Sequence, residues 1–170
     1  MTASVIAYLA LGSNLGDPLE QLVKARAAIN ALSGVTIVCS SSLYQSPAWG
    51  SDELQPDYVN AVMSVQTTLS AHDLWRASSR VEAAQGRMRN AARNAARTLD
   101  IDLLMYGDAA IHTTDLTLPH PRMHERDFVL MPLIEIAPEA VIPGRGSARD
   151  CLQRIAHSDI QKLSHNSAWN

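Results

Sequence analysis

The ten residues YVNAVMSVQT, from Tyr58 to Thr67, alternate in the period-two pattern of a β-strand. Val59, Ala61, Met63 and Val65 fall on one face and Tyr58, Asn60, Val62 and Ser64 on the other. A strand with one wholly apolar face requires neighbouring strands and a covering layer. The rest of the chain supplies both. "SVIAYLALG" reads as a buried strand bounded by Gly12. Asp17, Pro18 and Glu20 then give an N-cap, a first-turn proline and a capping-box partner. Leu22, Ala25, Ile29 and Leu32 follow at helical spacing as far as Gly34. "VTIVCSSSLY" reads as a β-rich run, and "QSPAWGSDELQPD" as a long loop, a length usually functional or disordered. After Tyr58–Thr67, Ser70 with Asp73 opens a second helix whose apolar line runs Leu74, Val81 and Met88 through Ser78 and Gln85, ending near Asn90. "TLDIDLLMYGD" is the next strand, with Leu99, Ile101, Leu103 and Met105 on one face and Asp100 and Asp102 on the other. The element order is βαββαβ. A short helix over residues 129–136 and a last one within residues 148–157 complete the reading.

At 170 residues the chain is expected to form one domain, 1–170, burying roughly 70% of its unfolded surface. A hydrophobic fraction of 46% against 18% charged excludes disorder as the overall state. Cys39 and Cys151 stand far apart without CxxC spacing, which argues against a disulfide framework or zinc site and for a reducing compartment. "VIAYLALG" is too short to span a bilayer and lacks a signal peptide's basic start, so the expected location is the cytoplasm, with no membrane partner.

The net charge is only -3, yet Arg87, Arg89, Arg93 and Arg97 cluster within residues 83–99, which contain no acidic residue. Lys24 and Lys162 are the only lysines, and arginine's rigid fork suits bidentate phosphate or carboxylate binding. A solvated basic surface is the other reading of the patch. Asp100 and Asp102 project in parallel about 6.7 Å apart, where two carboxylates repel by roughly 2 kcal/mol at an effective dielectric near 20. Arginines offset this in a structural cluster. Alternatively a divalent metal does so, since Mg²⁺ commonly uses one or two carboxylates together with substrate phosphates. The basic flank favours the metal, because both would engage the same polyphosphate.

His120 and His124 have i, i+4 spacing, but Pro119 and Pro121 forbid a regular helix, which disfavours zinc. With Arg122 and Arg126 they extend the anion-binding surface instead. "GSNLGD" lacks a P-loop's GKS/T, and GxGxxG is absent. Tyr58 and Asn60 share a strand face, pairing an aromatic platform with an amide that suits a flat heteroaromatic ligand; a packed tyrosine beside a capping asparagine is the alternative.

The pieces "ALGSNLGD", "YQSPAWG…QPDYVNAV", "RVEAAQGRMR", "RTLDIDLLMYG" and "LPHPRMHERDFVLMPLIEIAP" occur in this order over residues 5–143. Together they resemble the 6-hydroxymethyl-7,8-dihydropterin pyrophosphokinase family of folate biosynthesis. The resemblance implies an α+β fold, a ferredoxin-like α/β/α sandwich with an antiparallel sheet on the βαββαβ core. It also implies a monomer that passes the diphosphate of ATP to the pterin's hydroxymethyl oxygen and releases AMP. Asp100 and Asp102 match the aspartates for two Mg²⁺ ions. Arg87 and Arg97, with these aspartates, match catalytic positions. Glu82, Gln85, Arg87, Arg97, His120 and Arg126 match the ATP site, and Ser46, Pro47, Trp49, Tyr58, Asn60 and Phe128 the pterin pocket. Asn94, Ala95 and Ala96 depart from the family's Trp-Gly-Pro, which gives a weakly active or non-catalytic paralogue as the competing expectation. An RNA-binding module of ferredoxin-like fold is disfavoured by the missing RNP aromatics and the acidic net charge, so no nucleic-acid partner is expected.

Overall fold

The structure, a computed structural model, describes residues 2–48, 50, 54–86 and 99–170. Strand β1 (Val5–Ser13) leads through a turn to helix α1 (Pro18–Asn30), where the Asp17 carboxylate accepts the Glu20 N–H at 3.1 Å. Strands β2 (Val35–Ser40), β3 (Tyr44–Ser46) and β4 (Tyr58–Thr67) follow, then helix α2 (Ala71–Ala84), capped by Ser70 Oγ accepting the Asp73 N–H at 3.1 Å. Strand β5 (Asp100–Tyr106) completes the βαββαβ core, in which β2 and β3, both paired with β4, share the place of the second strand. Beyond it lie hairpin strands β6 (Ile111–His112) and β7 (Thr117–Leu118), a 3₁₀ turn (Met123–Glu125) and helix α3 (Asp127–Ile136). The chain ends through β8 (Val141–Ile142), β9 (Gly146–Ser147), α4 (Ala148–Arg154) and β10 (Gln161–Lys162).

Among the described residues the main sheet runs β10-β3-β4-β1-β5, with β2 also paired to β4, and every pairing is antiparallel. Leu22, Ala25 and Ile29 of α1 and Leu74 and Val81 of α2 pack on one face, against Leu9, Leu11, Met63, Val65, Ile101 and Leu103. Val129, Leu130 and Leu133 of α3 and Ala148 and Cys151 of α4 cover the other, against Val62, Leu104 and Met105. The expected α/β/α sandwich is therefore present. No helix among the described residues is long and apolar enough to cross a membrane.

Four local expectations change, while the last helix, Ala148–Arg154, lies within the expected residues 148–157. Met105 packs with Val62 and α3, not with Leu103, because the β1–β5 register shifts between Tyr8 and Leu9; Leu104 is the extra residue and reverses the faces beyond it. The β-rich run is split at residues 41–43, where Ser41 Oγ accepts the Val62 N–H at 2.9 Å and so replaces a regular ladder bond. Helix α2 stops at Ala84 rather than near Asn90: Gln85 leaves the helical region and Gly86 takes φ +88°, which glycine adopts at little cost. Helix α3 starts at Asp127 rather than at 129, directly after Arg126, which still has extended backbone.

Glu135 on α3 binds the split run to the helix. Its carboxylate accepts the Ser42 N–H at 3.0 Å, the Ser42 hydroxyl at 2.6 Å and the Tyr44 hydroxyl at 2.7 Å, with Lys162 Nζ at 3.5 Å. Burial alone would raise its pKa, but these hydrogen bonds and Lys162 outweigh burial and hold it below the ordinary 4.5. Because the folded pKa is the lower one, the stabilisation is present above about pH 4.5 and is lost as the pH falls through the folded value. Glu135→Gln should cost about 1–2 kcal/mol at pH 7. The gap between the two proteins' thermal midpoints should narrow at pH 3; a constant gap would contradict the charged role.

Candidate functional site

Register aligns one row of residues across the sheet. Gly12 on β1 stands opposite Asp100 on β5 and opposite Asn60 on β4, and Asn60 stands opposite Tyr44 on β3. Asp100 and Asn60 are thus two strand spacings apart, about 10 Å, with a glycine between them. A Cβ on Gly12 would meet Asn60 Oδ1 at 3.2 Å and the Tyr58 ring at 3.5 Å, so the missing side chain is the open floor of a cleft. Asp102 lies two residues further along β5, on the same face and opposite Ala10, another small residue.

That cleft is lined by Gly12, Ser46, Pro47, Tyr58, Asn60, Asp100, Asp102, Arg126 and Phe128, with Ala10, Leu11 and Val129. Eight residues expected at the site from sequence meet here. Asn60 is 5% exposed and donates from Nδ2 to Ser46 Oγ at 2.8 Å and to the Tyr44 carbonyl at 3.4 Å. Arg126 precedes the first turn of α3; its Nη1 donates to Asp102 Oδ2 at 3.4 Å, and its guanidinium lies 5.8 Å from the Phe128 ring centroid.

A second cleft adjoins the first through Asp102. Its walls are Trp75, Ile101, Leu103, Asp115, Leu116, Thr117, His120 and Pro121. His120 Nδ1 accepts the Arg122 N–H at 3.2 Å, which assigns the ring proton of the neutral imidazole to Nε2, 3.7 Å from Asp102 Oδ2. Burial, followed by Arg126 and Arg122 and opposed by Asp100, lowers the His120 pKa to about 4. At neutral pH the ring is an uncharged donor facing the cleft.

The two residues expected from α2 are directed elsewhere. Glu82, 4% exposed, accepts the Ile101 N–H at 3.1 Å, so it holds the backbone between the two aspartates. Gln85 donates to the carbonyl and the side-chain oxygen of Gln21 on α1, at 3.0 and 2.9 Å. Arg87, Arg97 and Trp49 lie outside the described residues. Sequence reasoning missed Trp75, Asp115 and Thr117, because the second cleft draws its wall from α2, β7 and the turn before it. It also missed Asn14, whose Nδ2 donates to Gln55 Oε1 at 3.2 Å and the Pro56 carbonyl at 3.1 Å and anchors the loop entering β4.

Two carboxylates beside one cleft suit a hard divalent cation, and the arginine and the neutral histidine N–H beside them suit the phosphorylated ligand that would share its coordination. No group of three or more His, Cys, Asp or Glu that could hold a metal by itself occurs among the described residues. Protein ligation alone would leave such a cation's coordination incomplete, as Mg²⁺ sites completed by water and phosphate require.

Residues 8–138 match the family model of 7,8-dihydro-6-hydroxymethylpterin-pyrophosphokinase. The chain is 44% identical over 160 residues to the 2-amino-4-hydroxy-6-hydroxymethyldihydropteridine pyrophosphokinase of Haemophilus influenzae, covering 94% of this chain and 99% of that one. With the enzyme of the same name from Bacillus subtilis it shares 39% identity over 131 residues, 77% of each chain. Among solved structures, an HPPK-DHPS crystallised in complex with substrates gives a TM-score of 0.70 at 14% identity, over 89% of this chain and 43% of that one. Wild-type Plasmodium falciparum HPPK-DHPS with pteroate gives 0.71 at 12%, over 91% and 43%. This chain spans under half the length of those two solved chains, and the likeness to them is one of fold. With the matched segment running from β1 through α3, and so through every element that lines the joined clefts, the chain belongs to the 7,8-dihydro-6-hydroxymethylpterin-pyrophosphokinase family.

Proposed function

We propose that the two clefts hold the two substrates of one reaction and that Asp102, which lines both, marks where they meet. The protein transfers the diphosphate of ATP to the hydroxymethyl group of 6-hydroxymethyl-7,8-dihydropterin, a step of folate synthesis. The pterin hydroxymethyl oxygen forms a bond to the β-phosphorus, the bond from that phosphorus to the α-phosphate oxygen breaks, and AMP leaves. The hydroxyl proton passes to solvent water as the new P–O bond forms, so the products are the diphosphorylated pterin, AMP and one proton.

In this reading the first cleft takes the pterin. Phe128 and Tyr58 offer ring faces, and Asn60 supplies a donor and an acceptor for the polar edge, beside Ser46 and Pro47. The second cleft takes the nucleotide, with Trp75 as an apolar surface and Asp115 and Thr117 as polar partners. Arg126 and the Nε2–H of His120 donate to phosphate oxygens. Asp100 and Asp102 would hold Mg²⁺, in two ions as the family resemblance implies. Bound there, Mg²⁺ supplies charge neutralisation and polarisation of the phosphate oxygens. Arg87 and Arg97 are assigned to the phosphates by the resemblance alone. The working form is taken as a monomer of one domain, as the family resemblance and the chain length lead one to expect, in a cytoplasm whose reducing conditions fit the two free cysteines.

The reading is tested by following AMP and the diphosphorylated pterin together. Both should appear in equal amounts, and only when ATP, Mg²⁺ and the hydroxymethylpterin are all present; ADP as the product would overturn it. The cleft assignment has its own test in Gly12→Ala. The added methyl presses on Asn60 and Tyr58, an overpacking worth about 1 kcal/mol, so pterin affinity should fall about fivefold with ATP affinity unchanged. Equal weakening of both ligands by calorimetry would contradict it.

A further inference from the structure

The pterin cleft has two walls that belong to different layers of the fold. Phe128 stands on the first turn of α3, and Ser46 and Pro47 stand at the end of β3, a strand of three residues. One stretch of the C-terminal segment touches both. Asp127, between Arg126 and Phe128, is 3% exposed, and its Oδ2 accepts the Ser158 N–H at 2.6 Å and the Ser158 hydroxyl at 2.8 Å. Three residues later Gln161 pairs with Gln45 of β3, and Lys162 with Tyr44. The Leu163 N–H then donates to the Leu43 carbonyl at 2.8 Å. Further along, Trp169 is wholly buried and donates from Nε1 to the Ser41 carbonyl at 2.8 Å, which fixes the far end of the segment. All of these C-terminal residues lie beyond the span 8–138 that the family model matches.

Three residues of extended chain reach at most about 10–11 Å. While both contacts hold, the α3 wall and the β3 wall cannot separate beyond that length. Arg126 has a second tether through Asp102, and Glu135 joins the far end of α3 to Ser42 and Tyr44, two turns from the cleft; the Phe128 ring is placed by the first turn, whose tie to β3 runs through Asp127 and Ser158. We propose that residues 158–162 form a leash that limits how far the pterin cleft can open, with Asp127 and Ser158 as positioning residues at its α3 end. The inference rests on the assignment of the pterin to this cleft. A leash lowers the ordering cost of binding and makes no contact in the reaction itself. Its loss therefore appears in the pterin KM and not in kcat at saturation.

Two variants of the full chain test this. Asp127→Ala removes the anchor, and insertion of two glycines after Asp159 lengthens the leash while keeping both contacts. Each should raise the pterin KM about tenfold, the scale of a modest loss of pre-organisation, with kcat and the ATP KM within about twofold. Ser158→Thr, which keeps both donors, should stay near wild type. Val35→Ala, at the far end of the sheet, controls for destabilisation: it should lower the thermal midpoint without moving the pterin KM. A wild-type pterin KM in the insertion variant, or in folded Asp127→Ala, overturns the proposal. The cleft assignment fails separately, by an unchanged pterin KM in Phe128→Ala.

Discussion

Asp102→Asn should lower the rate of AMP formation roughly 10³-fold at saturating ATP and Mg²⁺, a loss of about 4 kcal/mol of transition-state stabilisation. The estimate follows from where Asp102 sits. It is the residue shared by the two clefts, on a strand whose register with β1 is fixed on both sides of it. Asparagine keeps the shape and an oxygen that can still accept from Arg126 Nη1, now 3.4 Å from Oδ2, so the packing of α3 against the sheet is kept. What disappears is one of the two negative charges that would hold the cation against the phosphates. Removing it relieves a repulsion with Asp100 of roughly 2 kcal/mol and loses the closer attraction to Arg126, 3.4 Å away, while the neutral amide no longer bears the desolvation cost of a half-buried carboxylate, so these changes largely cancel. The thermal midpoint without metal should therefore stay close to wild type while turnover collapses. Turnover within tenfold of wild type in the folded variant would remove Asp102 from the reaction centre.

The sequence carried the core because its elements declare themselves locally. The alternation of Tyr58–Thr67 needs no partner to be read, and the caps at Asp17 and Ser70 act within one helical turn. Features that depend on a second element were not readable in this way. The reversal at Met105 arises from the pairing of β5 with β1, since a bulge changes which face a residue takes without changing the sequence period. Trp169 lies in a polar tail with no apolar periodicity; it is buried because the interruption between β2 and β3 leaves the Ser41 carbonyl facing its indole N–H. Glu82 illustrates the same limit at the site. Its place on α2 near the aspartates follows from the family pattern, but its direction, onto the Ile101 N–H, is set by the packing of α2 against β5.

Asn60→Leu should weaken pterin binding about 30-fold, which corresponds to roughly 2 kcal/mol for polar groups left without their partner. Leucine has the heavy-atom count and the Cγ branching of asparagine and is tolerated in a strand interior, so β4 should keep its register with β1. The pterin's polar edge would instead face hydrocarbon, and Ser46 Oγ would lose the donor that now lies 2.8 Å away. Asn60 does not line the second cleft, so the change should leave ATP affinity within about twofold; a uniform loss would signal disruption of the sheet rather than of recognition. The discriminating measurement is calorimetry with an α,β-methylene ATP analogue and Mg²⁺, first alone and then followed by oxidised 6-hydroxymethylpterin. Asn60→Asp sharpens the result, because it keeps the size and an acceptor but removes the amide donor. If the pterin edge needs both donor and acceptor, the aspartate variant should bind it as poorly as leucine does; binding restored to the wild-type level would show that Asn60 serves as an acceptor alone.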